Sequence, residues 1–363
     1  MTDAFERYPG LLAMIPAAIG LRGNVFSSLG SRVSTAIHTG EFRPSWRPGS
    51  VLGDNAAAAL AQTLLLGVVI ALTAAVVSLA FGLTDEVRLL DLVTVSVVGG
   101  LGASMVVLAA TVILVAAAVR YEWDLDKIVA PVVSTLGDVV TVPALWLATF
   151  VLGHGVAGET VQAGIALVAV ILGVRGLLSS RRRVRRVMQE SLPVLLIAAV
   201  LSTLAGVMLE HQLVSFTTSP DLLVLQPAFV SSGGALGGLL AASLATGLHL
   251  GTVRPARLPT RAVRRDMAVV VILAVVVYTF NGAGANLVAD LLGHATAAAG
   301  NTVAASLLGG AVAVVFVLAV AYYGTLGAYR LRVDPDTYGI PIVTSSVDFV
   351  GTFALIAAVA VLT

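Results

Sequence analysis

Residues Ala56–Ala80 read AAAALAQTLLLGVVIALTAAVVSLA, twenty-five positions without a charge. At about 1.5 Å of rise per residue, a helix of that length exceeds the roughly 30 Å of hydrocarbon in a bilayer. The run is not isolated: Ala268–Thr279 is the core of a second block of the same kind. Across 363 residues the hydrophobic fraction is 58% and only 11% of positions are charged. A soluble domain carries about a quarter of its residues charged. The chain is therefore read as an all-α, polytopic membrane protein, with the lipid bilayer as its first partner. The absence of cysteine rules out a disulfide framework and thiolate metal sites. A net charge of +1 says nothing about partners, because the charges are segregated along the chain; no nucleic-acid partner is expected. Met1–Gly10 mixes acidic and basic residues without a cleavage pattern, so no signal peptide is expected.

Extending this reading along the chain predicts about ten transmembrane helices: 11–40, 54–81, 89–119, 126–153, 157–179, 191–209, 222–251, 266–291, 299–328 and 335–362. The first and seventh are rich in Gly and Ser, and hydropathy alone rates them weakly. Loop charge tests the count. Loops after odd-numbered helices hold sixteen basic residues, including Arg181, Arg182, Arg183, Arg185 and Arg186, against only Arg7 and Arg88 on the other side. Basic loops stay in the cytoplasm. A multi-pass protein of the cell membrane is expected, with both termini extracellular.

The chain also repeats itself. Pro16, Gly23, Leu29, Thr35, His38 and Gly40 recur 211 residues later as Pro227, Gly234, Leu240, Thr246, His249 and Gly251. Asp124, Asp126, Pro131, Val133 and Asp138 recur 210 residues later as Asp334, Asp336, Pro341, Val343 and Asp348. The matched helices are six places apart in order, so both copies cross in the same direction. Two parallel repeats related by a pseudo-two-fold axis along the membrane normal are predicted. The expected organisation is a first repeat at 1–153, a connecting helix and basic loop at 154–190, and a second repeat at 191–363. Such a chain is a fused pseudo-dimer, so a single copy is expected to suffice.

Asp138 and Asp348 lie about twelve residues into their helices, roughly 18 Å deep. A carboxylate at that depth normally faces a cavity, an ion path or a partner. The bland alternative is a protonated acid bonded to a neighbouring helix. Two duplicated acids converging on a pseudo-axis would suit a hard divalent ion held through its water shell. Ser134 and Thr344 precede them by one turn on the same face. Asp126 and Asp336 open the same helices and admit two readings, helix caps or an acidic mouth that concentrates cations. Asn24 is polar within the first helix, but the second repeat has Ala235 in its place. Arg22 likewise has Gly233 as its counterpart, so neither residue is symmetric. His38 and His249 are read as interfacial. No phosphate-binding loop, nucleophile elbow or zinc-protease motif is present.

The segments PAAIGLRGN at 16–24, LGSRVSTA at 29–36 and DLDKIVAPVVSTLGD at 124–138 resemble the signatures of the MgtE-type and solute-carrier Mg²⁺ transporters. The resemblance spans nearly the whole chain and is closer to the fused, two-repeat form. It implies transport of divalent cations, Mg²⁺ first, through a path between the repeats. Asp138 and Asp348 correspond to the family's pore aspartate, and Ser134 and Thr344 to the turn that offers carbonyls to the ion. It implies a transported ion, no organic cofactor and no enzyme activity. The first repeat departs from the family by starting directly at the Pro-Ala helix. No cytoplasmic regulatory domain is seen in the sequence, so gating by one within this chain is not expected. Two rival readings remain: an ion-coupled secondary transporter of another cation or small solute, and an intramembrane enzyme with the two acids as an aspartyl dyad.

Overall fold

The computed structural model describes residues 10–80, 88–123, 125–153, 155–216, 220–291, 299–331, 333 and 335–362. Among these residues the protein is all helix: α1 Leu11–His38, α2 Val51–Ala80, α3 Leu89–Tyr121, α4 Leu125–Thr149, α5 Gly155–Leu177, α6 Arg182–Phe216, α7 Pro220–His249, α8 Arg261–Leu291, α9 Ala299–Arg330 and α10 Pro335–Leu362. Every predicted helix is present. The largest difference is α6, expected over 191–209, which begins in the basic run at Arg182. Arginine is a good helix former, and nothing in that run breaks a helix.

Among the described residues, nine of the ten helices are long and apolar enough to cross a membrane, and α1 is the exception. Its environment explains why. In the first compact unit, residues 1–207, α1 packs against α2, α3 and α4. Met14, Phe26, Leu29 and Val33 are fully buried there, and Ser27, Ser28 and Ser34 are buried with them. A helix walled by protein does not need lipid-compatible hydropathy, and small polar residues allow its neighbours to approach closely. Helix α5 lies against α2 and α3, and most of its surface is exposed. Val184, Val187 and Met188 of α6 form a small core with Ala58 and Ala61 of α2. Gln62 donates to the Ser191 hydroxyl, fixing the same pair of helices.

The second compact unit, residues 208–363, repeats the central theme: α7 packs against α8, α9 and α10. Phe229 and Tyr278 meet at its centre with ring centroids 4.6 Å apart. The boundary between the two units falls within α6, which the sequence groups with the second repeat.

Loop contacts report the parity of the helix crossings independently of charge. Arg181, between α5 and α6, pairs with Asp54 at the start of α2 at 2.9 Å. The Arg183 guanidinium donates to the Gly49 carbonyl at 3.3 Å. These contacts bring the loops after α1 and after α5 to one end of the first unit, which requires an even number of crossings between them. In the second unit the Tyr322 hydroxyl, late in α9, donates to the Ala256 carbonyl in the loop after α7 at 2.8 Å. The basic loops of each unit therefore share one end.

Candidate ion site on the paired acidic helices

Helices α4 and α10 carry the duplicated acids. Asp138 is the fourteenth residue of α4, and Asp348 is the fourteenth of α10. Each lies about 20 Å along its helix. Both are partly buried. The prolines Pro131 and Pro341 lie inside these helices. Each withholds one backbone donor and so frees a carbonyl in the preceding turn. The Thr135 hydroxyl returns to the Pro131 carbonyl at 2.9 Å, and the Thr344 hydroxyl to the Pro341 carbonyl at 3.2 Å. The Thr352 hydroxyl donates to the Asp348 carbonyl at 2.7 Å and anchors the turn after the acid.

What holds these helices in place is a row of glycines on the Pro-Ala helix of each unit. In the first unit, Gly23 of α1 faces Ser134, whose hydroxyl lies 3.4 Å from where a Cβ on that glycine would stand. Gly30 faces Val129 so closely that no side chain fits. In the second unit, Gly234 of α7 faces Thr344, with its methyl 3.5 Å from the corresponding point, and Gly237 faces Val343. The pair Gly23–Ser134 and the pair Gly234–Thr344 are the same contact made twice. Each unit thus sets a glycine-faced helix against a hydroxyl residue, with an acid one turn further on.

Of the residues predicted for the site, the structure brings Ser134 and Thr344 to these helix contacts and leaves them partly buried. Asn24 is 2% exposed within α1, whereas Ala235 in α7 is only partly buried. Asp126 and Asp336 lie in the first turns of α4 and α10, but their side chains fall outside the described residues, as do Asp124 and Asp334 altogether. His38 is exposed at the end of α1, in keeping with an interfacial histidine. Among the described residues, no group of three or more His, Cys, Asp or Glu side chains converges to hold a metal ion.

The burial of Arg22, close to these helices, was not apparent from the sequence. Arg22 is 2% exposed, and its guanidinium lies against Gly100 of α3, where a Cβ would stand 2.8 Å from Nη2. Its Cβ packs over Gly137, the residue before Asp138. The signal was present as a compensating change: where the first repeat has Arg22 and Gly137, the second has Gly233 and Val347.

Comparison with known proteins identifies the same two segments. The sequence profile of MgtE, described as a divalent cation transporter, matches residues 15–148 and 226–358. The two matches cover α1–α4 and α7–α10, the four-helix sets described above. The chain is similar over 97% of its length to solute carrier family 41 member 3 of Rattus norvegicus, at 23% identity, covering 79% of that protein. It is similar over 97% of its length to solute carrier family 41 member 2 of Homo sapiens, at 24% identity, covering 64% of that protein. No solved structure matches.

Proposed function

The chain belongs to the MgtE family of divalent cation transporters, and we propose that its transported ion is Mg²⁺, carried along a path between the two repeats and lined by Asp138 and Asp348. The family is one of transporters and not of enzymes, which removes the aspartyl-dyad reading. The observation that carries the proposal is the doubled contact, Gly23–Ser134 and Gly234–Thr344, with a mid-helix acid one turn beyond it in each repeat. Two such acids supply opposing negative charge without enclosing the ion. Mg²⁺ sheds water reluctantly and is held through its hydration shell by one or two carboxylates. Carbonyls in the turns of Ser134 and Thr344 accept hydrogen bonds from the ion's water, and Asn24 contributes from the first repeat alone. Asp126 and Asp336 form the acidic entrance. The repeats at 1–153 and 191–363, joined by 154–190, form a fused pseudo-dimer, so that a single copy suffices, placed in the cell membrane with both termini outside.

Purified protein in liposomes loaded with a Mg²⁺ indicator tests this reading. Uptake down a Mg²⁺ gradient is expected, reduced by competing Mn²⁺ or Co²⁺. Uptake of those ions without uptake of Mg²⁺ would keep the family assignment and overturn the choice of ion.

A further inference from the structure

Arg22 is a buried charge that the proposed path does not use. Among the described residues its guanidinium donates to the Ala18 carbonyl of its own helix, and its Nε has no partner. Among the described residues no carboxylate forms an ion pair with it. An arginine keeps its charge at neutral pH. Burying one within a membrane without a counter-ion is costly, and such residues are normally functional.

The second repeat shows what packing alone would require. There the position of Arg22 is Gly233, and the same space is filled from the other side. Tyr278 of α8 lays its ring on Gly310 of α9, the counterpart of Gly100, and its hydroxyl reaches 2.9 Å from a Cβ built on Gly233. Val347, the counterpart of Gly137, closes the remaining gap against Gly233. Tyr278 in turn corresponds to Gly67: Ser306 donates to the Tyr278 carbonyl, and its counterpart Ser96 lies against Gly67. One repeat therefore uses a large residue on the Pro-Ala helix and glycines on its two neighbours. The other uses glycine on the Pro-Ala helix and large residues on the neighbours. Both arrangements fill the space, so volume does not account for a guanidinium where the second repeat manages with a neutral phenol.

We propose that Arg22 is an affinity-setting residue: its fixed positive charge, buried against Gly100 on a side chain whose Cβ packs over Gly137, the residue before Asp138, weakens cation binding at the first repeat's acid and leaves Asp348 as the tighter half-site. This rests on the reading of Asp138 and Asp348 as ion-facing. Two acids acting on a divalent ion in a low-dielectric path would hold it strongly. Transport needs binding weak enough to release. A cation set against a divalent ion opposes its binding without touching it, because Coulomb repulsion at such range is little screened inside protein. A built-in charge on one side only also gives an otherwise two-fold path a direction of weaker hold.

The test uses the full chain in liposomes, with Mg²⁺ uptake measured across a concentration series for wild type, Arg22→Met and Arg22→Lys. Arg22→Met removes the charge and keeps much of the volume, and its KM for Mg²⁺ is expected to fall by about tenfold or more. Arg22→Lys keeps the charge and is expected to hold KM near the wild-type value. Damage to packing lowers turnover or yield but does not tighten binding. An unchanged or raised KM in folded Arg22→Met would therefore overturn the proposal. Should Arg22→Met fail to fold, the acids decide: with Arg22 present, Asp348→Asn is expected to raise KM more than Asp138→Asn, and equal shifts overturn the proposal. If both acid variants transport like wild type, the ion-path reading itself falls. That outcome is distinct from impaired acid variants combined with an unresponsive Arg22.

Discussion

Asp138 and Asp348 are both partly buried mid-helix acids, and each follows a serine or threonine that contacts a glycine of the Pro-Ala helix. If one hydrated ion uses both acids, Asp138→Asn and Asp348→Asn should each cut Mg²⁺ uptake severely, by about tenfold or more for the loss of a charge–ion contact. The two losses should fall short of additive in the double variant, because the residues act as one site. Folding should survive, since Asn is nearly isosteric and removes a buried charge. Vesicle uptake alongside monodispersity in detergent checks both statements, and normal transport by both single variants would refute the pore assignment. The acids at the helix starts answer to a different experiment. Asn caps a helix as well as Asp does, so the Asp126→Asn, Asp336→Asn double variant separates capping from cation collection. As an entrance, the pair should require more Mg²⁺ once neutralised and lose part of its salt dependence. Unchanged kinetics would leave capping as the whole account. The acids were legible in the sequence because a carboxylate within an apolar run is conspicuous by itself. Arg22 was visible too, but its burial was not: only packing shows that its guanidinium ends on Gly100 instead of reaching water.

Helices α1 and α7 owe their place to what they lack in side-chain volume. Close approach also governs the helix that follows the apolar pair in each unit. A Cβ on Gly99 would stand 2.8 Å from the Leu145 Cα and 2.9 Å from the Ala144 carbonyl oxygen, both of them backbone. Its counterpart Gly309 meets the Ala354 carbonyl oxygen and the Leu355 Cα, each at 3.1 Å. Backbone cannot swing aside as a side-chain tip can. Gly99→Ala is therefore expected to force α3 and α4 apart and to cost about 1–3 kcal/mol, the usual range for overpacking. Gly23→Ala meets the Ser134 hydroxyl at 3.4 Å, an ordinary contact. There the intrinsic gain of about 0.5–1 kcal/mol for alanine over glycine in a helix offsets any adjustment. Thermal unfolding in detergent should therefore rank Gly99→Ala well below Gly23→Ala, and the reverse order would contradict the packing described for α3 and α4. Helix α1 shows why hydropathy is an incomplete guide to a spanning element. Its Ser27, Ser28 and Ser34 are buried where it packs against α2, α3 and α4, so these positions need not suit lipid.

The polypeptide as a whole is one four-helix theme written twice, with α5 and α6 between the copies. Its orientation rests on loop charge. The ends of α1 and α5 carry basic loops brought together by Arg181–Asp54 and Arg183–Gly49. If that end is cytoplasmic, as the charge rule requires, an even number of helices leaves both termini outside. A reporter active only in the cytoplasm, fused after Thr363, should stay silent, while the same reporter inserted between Ser179 and Arg181 should give a signal. The opposite pattern would invert the protein in the membrane.

The sequence by itself determined the membrane class, the ten helices, the duplication and the paired acids. Each of these is written in a linear pattern: uncharged runs as long as a bilayer, basic residues in alternate loops, and prolines and aspartates recurring at one spacing. The tertiary structure alone decided that α1 is walled by protein, that the packed part of α6 lies with Ala58, Ala61 and Gln62 in the first unit, and that Arg22 is buried. Those outcomes depend on which surfaces meet. A glycine, an arginine and a tyrosine can exchange the task of filling one space only when three helices are close enough to share it, and no spacing along a single chain encodes that proximity.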